Sequence, residues 1–269
     1  MPRDRNTKKQ RFAGGHQRGW LWGRHAVMEA LEAAHWPVVE LYLDGTLPED
    51  ALGRARALGE AQGALCEVVP DRRLFELAHT HEHQGYLARM GPFPYTPLEE
   101  ALSGGDGVKR PAGDAPLYLM LDAVQDTFNF GAILRSAEAM GVWAVIVGKT
   151  NQACVNSLVA RASSGAINRI PVAEVDDLPA VAAELASRGV LVAAADEKSG
   201  VGCAGPDFCG PTALVLGNEG RGISPELMAR CAARVRIPMF GAIGSLNVAA
   251  AAAVLLYEIR RQRGGGPPD

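Results

Sequence analysis

The sequence predicts an α/β protein whose larger part is a parallel β-sheet covered by helices on both faces. From residue 117 onward, short and almost wholly apolar strands alternate with helical segments, a pattern typical of a sheet buried on both sides. Three glycine-containing polar segments each follow a predicted strand, at the edge where open parallel sheets bind ligands. With 269 residues, 48% hydrophobic and 21% charged, the chain has enough apolar material for one large or two modest domains.

The N-terminal part predicts a small α/β domain over residues 19–92. Hydrophobic periodicity and capping residues indicate the elements in order. These are a helix over 23–31, a strand over 38–43, a helix over 48–62, a strand over 65–69, a helix over 71–78 with Asp71 as its cap, and a strand over 85–90. Residues 93–115 are rich in glycine and proline and show little periodicity, so we expect an inter-domain linker there.

The larger domain is predicted over residues 116–263. Strands are expected over 117–121, 143–147, 190–194, 213–216 and 234–237, and helices over 131–140, 157–163, 178–188, 225–231 and 246–260. Residues 264–269 are expected to form a disordered tail.

Charge is uneven along the chain. The first 18 residues have a formal charge of +5 (six Lys or Arg, one Asp), whereas the remainder carries −8. This basic and flexible arm suits contact with a polyanion, but a solubilising tail explains it equally well. If the arm binds RNA, deleting residues 1–18 should weaken RNA binding and flatten its salt dependence.

The cysteines and the apolar runs indicate a cytosolic protein. The five cysteines are an odd number without C-x-x-C spacing, which favours neither a disulfide framework nor a zinc site and fits a reducing compartment. The basic N-terminus is not followed by an apolar stretch typical of a secretory signal. The longest apolar run, 248–256, is too short to cross a bilayer.

The first polar segment runs from Asn129 to Arg135. Gly131 is expected to begin the helix, with Asn129 capping it or orienting the Arg135 side chain. A guanidinium there suits phosphate or ribose oxygens because it is planar, always charged and carries several donors. An ordinary capped helix with a solvent-facing arginine is the alternative.

The second segment, 217–222, follows an apolar strand and precedes Ser224 and Pro225, which mark a helix start. Its glycine order is the reverse of the dinucleotide fingerprint, and it lacks the lysine of a phosphate-binding loop. We expect a backbone-exposing loop with Glu219 as its one carboxylate. A purely structural turn is the alternative.

The third segment contains Ser245 and Asn247 before the last helix. Ser245 is a plausible N-cap, whereas Asn247 in the first turn is poorly explained by capping. Residues 249–253 are alanines, which suit close helix or subunit packing. Elsewhere, His79, His81 and His83 alternate like metal ligands, but no further ligand cluster is evident, and no metal is predicted.

In this order and spacing, the three segments resemble the motifs of the SpoU (TrmH-type) RNA 2′-O-ribose methyltransferases of the SPOUT superfamily. The resemblance covers residues 116–263 and depends on N-x-G-x-x-x-R, G-N-E-G-x-G and I-P-M followed by S-L-N-V. Many relatives have serine where this chain has Ala249. Upstream, G-R-H-A-V-x-E-A-L at 23–31 and H-Q-G at 83–85 resemble the substrate-binding domain of the subgroup that modifies a 23S ribosomal RNA guanosine, a domain similar to a ribosomal RNA-binding protein.

The resemblance implies a deep trefoil knot in the C-terminal domain, an obligate homodimer and S-adenosylmethionine as methyl donor. It places the catalytic residues at Asn129, Arg135, Glu219, Ser245 and Asn247. It places the cofactor contacts at Ala195, Gly217, Ile237, Met239 and Leu246.

The resemblance therefore implies 2′-O-methylation of a ribose in 23S ribosomal RNA, with a guanosine as the expected nucleotide. A transfer RNA ribose methyltransferase and an RNA-binding assembly factor without catalysis are the alternatives. The separate N-terminal domain argues against the first, and the intact set of five polar residues argues against the second.

Overall fold

The computed structural model of the chain describes residues 19–104 and 113–264. These residues form two compact units, one built from 19–94 with 155–168 and the other from 95–154 with 169–264. The basic arm at 1–18, the tail beyond 264 and residues 105–112 of the predicted linker lie outside the described residues.

The first unit contains a four-stranded mixed sheet. Its strands are β1 (Trp20–Trp22), β2 (Val38–Asp44), β3 (Leu65–Val69) and β4 (Tyr86–Met90), and its helices are α1 (Arg24–Ala33), α2 (Glu49–Ala61), α3 (Asp71–Ala78) and α6 (Ser157–Ala162). The strand order is β1-β4-β2-β3, with β2 and β3 parallel and the other pairs antiparallel. A small core forms around Trp20, Trp22, Leu74 and Leu87, and Leu158 of α6 packs against it.

Two details of the first unit differ from the prediction. Strand β1 was not predicted, because a run of three residues is too short to show the period-two alternation of a strand. Asp71 is the first residue of α3 and not its cap, since Pro70 occupies the cap position without a side-chain hydrogen bond. A carboxylate in the first turn still interacts favourably with the helix dipole.

The second unit contains a parallel sheet, as the sequence predicts, but with six strands where five were expected. Its strands are β5 (Leu117–Leu121), β6 (Ala144–Gly148), β7 (Val172–Val175), β8 (Leu191–Ala195), β9 (Thr212–Leu216) and β10 (Ala233–Val235). Its helices are α4 (Leu98–Ser103), α5 (Thr127–Ala139), α7 (Leu178–Ser187), α8 (Pro225–Met228) and α9 (Val248–Gln262). The α/β class and the parallel sheet are therefore confirmed, while the trefoil knot stays a prediction.

The strand order of this sheet is β10-β8-β9-β5-β6-β7, and every pair is parallel. Strands β5 and β9 are adjacent at the centre and buried along their whole length. From β5 the chain proceeds to β6 on one side, whereas from β9 it proceeds to β10 beyond β8 on the other side. This reversal creates a crevice between the loops that follow β5 and β9, which is where open α/β sheets bind ligands.

Two helices of the second unit begin at residues other than those predicted. Helix α5 begins at Thr127, four residues before Gly131, because the Asp126 side chain accepts a hydrogen bond from the Asn129 amide and caps it. Helix α9 begins at Val248, and its cap is Asn247, not Ser245. In both cases a side-chain oxygen that reaches the first-turn amides decides the start.

The stretch predicted as a linker contributes to the second unit. It contains α4, whose Ala101 and Leu102 are buried in the main apolar core with residues of β5, β6 and α7. No helix in the described ranges, 19–104 and 113–264, is long and apolar enough to cross a membrane.

The C-terminal helix is held by a buried charge cluster. Asp114 accepts hydrogen bonds from Arg260 at 2.6 Å and from Arg263 at 3.2 Å. The Asp114 and Arg263 side chains are 6% and 5% exposed. The remaining guanidinium donors reach backbone carbonyls, including those of Met140 and Phe208. Burial lowers the pKa of Arg263, while the neighbouring Asp114 carboxylate opposes that shift.

Candidate active site

The loops that follow β5 and β9 are joined by hydrogen bonds at the central crevice. The Asp122 carboxylate accepts a hydrogen bond of 2.6 Å from the Ser224 amide. The Asn218 side-chain amide donates to the Ala123 carbonyl oxygen at 2.8 Å. Ala123 has a positive φ of 59°, a strained backbone conformation for a residue other than glycine. These contacts fix the two loops relative to each other.

The glycine loop at 217–222 is a closed turn. Asn218 and Gly222 exchange backbone hydrogen bonds of 3.0 and 2.9 Å, and the Asn218 side-chain oxygen accepts from the amides of Gly220 and Arg221. A Cβ at Gly217 would stand 2.2 Å from the Gly222 carbonyl carbon. Glycine is therefore required at 217 by the close approach of the chain to itself.

Three side chains from three different segments form a hydrogen-bonded chain at this loop. Asn129 of α5 donates from Nδ2 to Oε1 of Glu219 at 3.0 Å. Asn247 donates from Nδ2 to Oδ1 of Asn129, also at 3.0 Å. The Oδ1 atom of Asn247 in turn accepts from the amides of Ala249 and Ala250 at the start of α9. Because the helix amides fix the orientation of Asn247, they also fix which end of Asn129 faces the carboxylate.

A cavity of about 440 Å³ opens beside this chain of side chains. Its wall includes every residue for which the resemblance implies cofactor contact, Ala195, Gly217, Ile237, Met239 and Leu246. It also includes Glu219, Ser245 and Asn247, and Asn129 contacts two of these through its side chain.

Arg135 is not among the residues that line the cavity. It is exposed on α5, six residues after Asn129. At about 100° per residue, that spacing turns its side chain to a different face of the helix. The structure thus gathers four of the five polar residues of the motifs and leaves Arg135 apart from them.

Sequence reasoning did not identify Asp122 and Asp196 as site residues. Asp122 joins the two loops, and Asp196 lines the cavity at the end of β8. Both directly follow an apolar strand, and that position is the signal by which they could have been found. Asn218 of the glycine loop makes three side-chain hydrogen bonds, which explain a polar residue at this position in the turn.

Cys231, which follows helix α8, is not a nucleophile at neutral pH. Burial raises the pKa of the Cys231 thiol to about 11, so the reactive thiolate is scarce at pH 7.

The histidines at 79–83 have separate structural positions. His79 ends α3 in a left-handed conformation, His81 stacks on Phe75 with ring centroids 4.2 Å apart, and the buried His83 accepts a hydrogen bond from the Gly85 amide. In the part of the chain that the structure describes, no group of three or more His, Cys, Asp or Glu residues is arranged to hold a metal.

Profiles of known protein families match both parts of the chain. The profile of the SpoU rRNA Methylase family matches residues 116–257, more than half of the chain. The chain belongs to the SpoU family. A second profile, for the substrate-binding domain of RNA 2′-O ribose methyltransferases, matches residues 20–96. The prediction that the chain is a SpoU-type RNA methyltransferase is therefore confirmed.

Individual SpoU relatives match along almost the whole chain. YacO of Bacillus subtilis (strain 168), which carries a provisional assignment as a TrmH family tRNA/rRNA methyltransferase, is 30% identical over 92% of this chain and 97% of its own length. The crystal structure of the SpoU methyltransferase AviRb from Streptomyces viridochromogenes, in complex with the cofactor AdoMet, superposes with a TM-score of 0.75 at 27% identity, covering 98% of this chain and 96% of AviRb. A crystal structure of an RNA 2′-O ribose methyltransferase superposes with a TM-score of 0.68 at 26% identity, covering 97% of this chain and 92% of that one.

Proposed function

We propose that this SpoU methyltransferase transfers a methyl group from S-adenosylmethionine to the 2′-oxygen of a guanosine ribose in 23S ribosomal RNA. The observation that carries the proposal is the position of Asn129. Its side-chain amide links Glu219 to Asn247 beside the cavity, and the residues expected to contact the cofactor line the same cavity.

The cavity fits S-adenosylmethionine in size and chemistry. Its volume of about 440 Å³ lies in the ordinary range for small-molecule sites. Val235, Ile237 and Met239 supply apolar wall for the adenine ring and the methionine chain, and Gly217 brings backbone close. Asp196 and Glu197 line the same cavity, and their carboxylates complement the positive charges of the cofactor.

When bound, S-adenosylmethionine would supply a methyl group on a positively charged sulfonium: the ribose 2′-oxygen would gain the methyl group, the S–CH3 bond would break, and S-adenosylhomocysteine would leave as a neutral thioether. Glu219 orients the ribose hydroxyl through the carboxylate oxygen that Asn129 does not occupy. Ser245 and Asn247 position the ribose beside it. This arrangement supplies proximity and alignment, which are the main demands of a displacement reaction.

Arg135 holds a phosphate of the RNA, because it lies apart from the side chains that surround the ribose hydroxyl. It does not serve as the base, because a guanidinium is effectively never deprotonated in proteins. The hydroxyl proton passes to a phosphate oxygen or to water. The exposed position of Arg135 on α5 supports a contact with RNA.

The choice of ribosomal RNA rests on the N-terminal unit. Residues 20–96 match the substrate-binding profile of ribose methyltransferases, and a separate RNA-binding domain suits a large folded substrate. The second candidate is transfer RNA, because the assignment of YacO includes both substrates.

Transfer of tritiated methyl groups to total deproteinised RNA from a strain lacking this enzyme separates the candidates. Label in large-subunit RNA at an alkali-resistant linkage supports the proposal, since a 2′-O-methyl group blocks alkaline cleavage. Label in transfer RNA alone supports the second candidate. Absence of label with folded protein and bound cofactor would identify an RNA-binding assembly factor.

The protein acts as a cytoplasmic homodimer in this proposal. An exposed apolar stripe on α9, formed by Ala250, Val254 and Tyr257, supports it, as do Phe240 and Ile243 at 99% and 73% exposure. Such a contiguous apolar surface is typical of a protein interface. Val254→Lys should shift the mass found by sedimentation equilibrium from dimer to monomer, and a wild-type monomer would contradict the proposal.

A further inference from the structure

Ten of the twelve lysine and arginine side chains that the structure describes in the second unit fall into two groups, and Arg135 and Arg169 belong to neither. One group forms ion pairs with carboxylates, namely Lys149, Arg188, Arg260, Arg261 and Arg263. The other group has no ion pair within the described residues and comprises Lys198, Arg221, Arg230, Arg234 and Arg236.

Four cations of the second group, Lys198, Arg221, Arg234 and Arg236, lie at or beside the cavity and are named here the unpaired basic surface. Lys198, Arg221 and Arg236 line it directly. Arg234 and Arg236 flank the buried Val235 at the edge strand β10, so alternation turns both to the same side. The Ser199 hydroxyl donates to the Arg234 carbonyl at 2.7 Å, which holds this edge against the loop that carries Lys198.

This surface contrasts with the charge of the rest of the molecule. The described residues carry a formal charge of −8, from 19 Lys and Arg against 27 Asp and Glu. Between residues 227 and 257, however, the chain has three arginines and no Asp or Glu. Positive charge without neutralising partners is therefore concentrated in the segment that leads into the cavity.

Unpaired arginines are suited to bind phosphate. A guanidinium already paired with a carboxylate must exchange that partner before it can bind a phosphate, whereas an exposed one exchanges only water. Several such groups beside one cavity also raise the local concentration of a polyanion.

We propose that the unpaired basic surface binds the phosphates of the RNA strand that flanks the methylated ribose. The proposal rests on the proposed function, since it makes this surface the path by which the substrate strand enters the cavity. The N-terminal unit then selects the RNA, and the basic surface of the second unit holds the strand at the point of reaction without reading its sequence.

The test uses Arg234→Gln combined with Arg236→Gln, because both side chains are exposed on the same side of the edge at β10. Affinity for fluorescently labelled polyuridylate is measured by anisotropy between about 50 and 200 mM KCl. Loss of two phosphate contacts on a single strand should flatten the slope of log K against log salt by about 1.4. Over this fourfold range of salt, the wild type should then lose about sevenfold more affinity than the variant.

A matched control removes the same charge from paired positions in the second unit. Lys149→Gln combined with Arg188→Gln takes away cations held by Asp176 and by Glu99 and Glu184, and its salt slope should equal that of the wild type. If the Arg234 and Arg236 variant also keeps the wild-type slope, the inference is wrong. Calorimetric uptake of S-adenosylmethionine and methyl transfer by the wild type test the proposed function separately, so the two failures are distinguishable.

Discussion

Replacing Gly217 by alanine would place a methyl group inside the backbone of its own loop. The new Cβ would lie 2.2 Å from the Gly222 carbonyl carbon and 2.4 Å from the Ile223 nitrogen. Ordinary contacts begin near 3.4 Å, so the two strands of the turn must separate by about 1 Å, at a cost of roughly 1–3 kcal/mol. Because Glu219 lies in this loop, a displacement of that size should lower kcat/KM for methyl transfer by about 100-fold.

Two alanine variants in the same loop serve as controls. At Gly220 a Cβ would meet only the Asn218 side-chain oxygen at 3.6 Å, so Gly220→Ala should behave like the wild type. Gly222 has open space but a φ of 73°, so Gly222→Ala should cost about 1 kcal/mol of stability without the same steric displacement. Methyl transfer to RNA is measured together with thermal unfolding. If Gly217→Ala transfers methyl groups within a fewfold of Gly220→Ala, the loop tolerates the displacement and the reasoning is wrong.

Three further predictions concern individual side chains. Asn129→Ala removes the donor to the Glu219 carboxylate and should lower kcat/KM by about 10- to 100-fold with little change in stability, which methyl transfer and urea unfolding measure. Arg135→Lys should lower kcat/KM by about tenfold, since an ammonium lacks the planar two-point grip on phosphate, and near-full activity would contradict that role. Asp114→Asn should cost about 3–5 kcal/mol in urea unfolding, because it leaves two buried arginines without a counter-charge, and a cost below about 1 kcal/mol would mean that they relax into solvent.

The strands of the second unit were largely predictable because burial on both faces leaves a nearly continuous apolar run. The strand expected over 117–121 is found at Leu117–Leu121, and that expected over 190–194 is found at Leu191–Ala195. Strand β7 was not predicted, because Val172–Val175 is only four residues long and contains the charged residue Glu174. Short strands are stabilised by their neighbours in the sheet and carry little local signal.

Helix starts were less predictable because several residues competed for each cap. Ser245 and Asn247 are both good capping residues two positions apart. The structure gives the cap to Asn247, which the sequence had set apart as unexplained by capping. Near α5, Asp126 takes the cap that was expected of Asn129, and Asn129 is thereby released to face the glycine loop. Which candidate wins depends on the path of the preceding loop, and that path is set by tertiary contacts.

Open parallel sheets bind ligands at the carboxyl ends of their strands, and this rule predicted that the three polar segments lie at one edge of the sheet. The sequence could not specify which side chains of these segments are hydrogen-bonded to one another. Asn129 and Glu219 are 90 residues apart, and Asn129 and Asn247 are 118 apart. Their hydrogen bonds exist because β5 and β9 are neighbours at the reversal of strand order.

The amide of Asn129 can satisfy a carboxylate and a second amide at once only if its nitrogen faces Glu219. Asn247 caps α9 with its side-chain oxygen, so its side-chain nitrogen must face the oxygen of Asn129. The last helix therefore determines, through Asn247, which end of the Asn129 amide faces Glu219. A change that displaces the first turn of α9 should therefore impair catalysis even when the cavity wall stays intact.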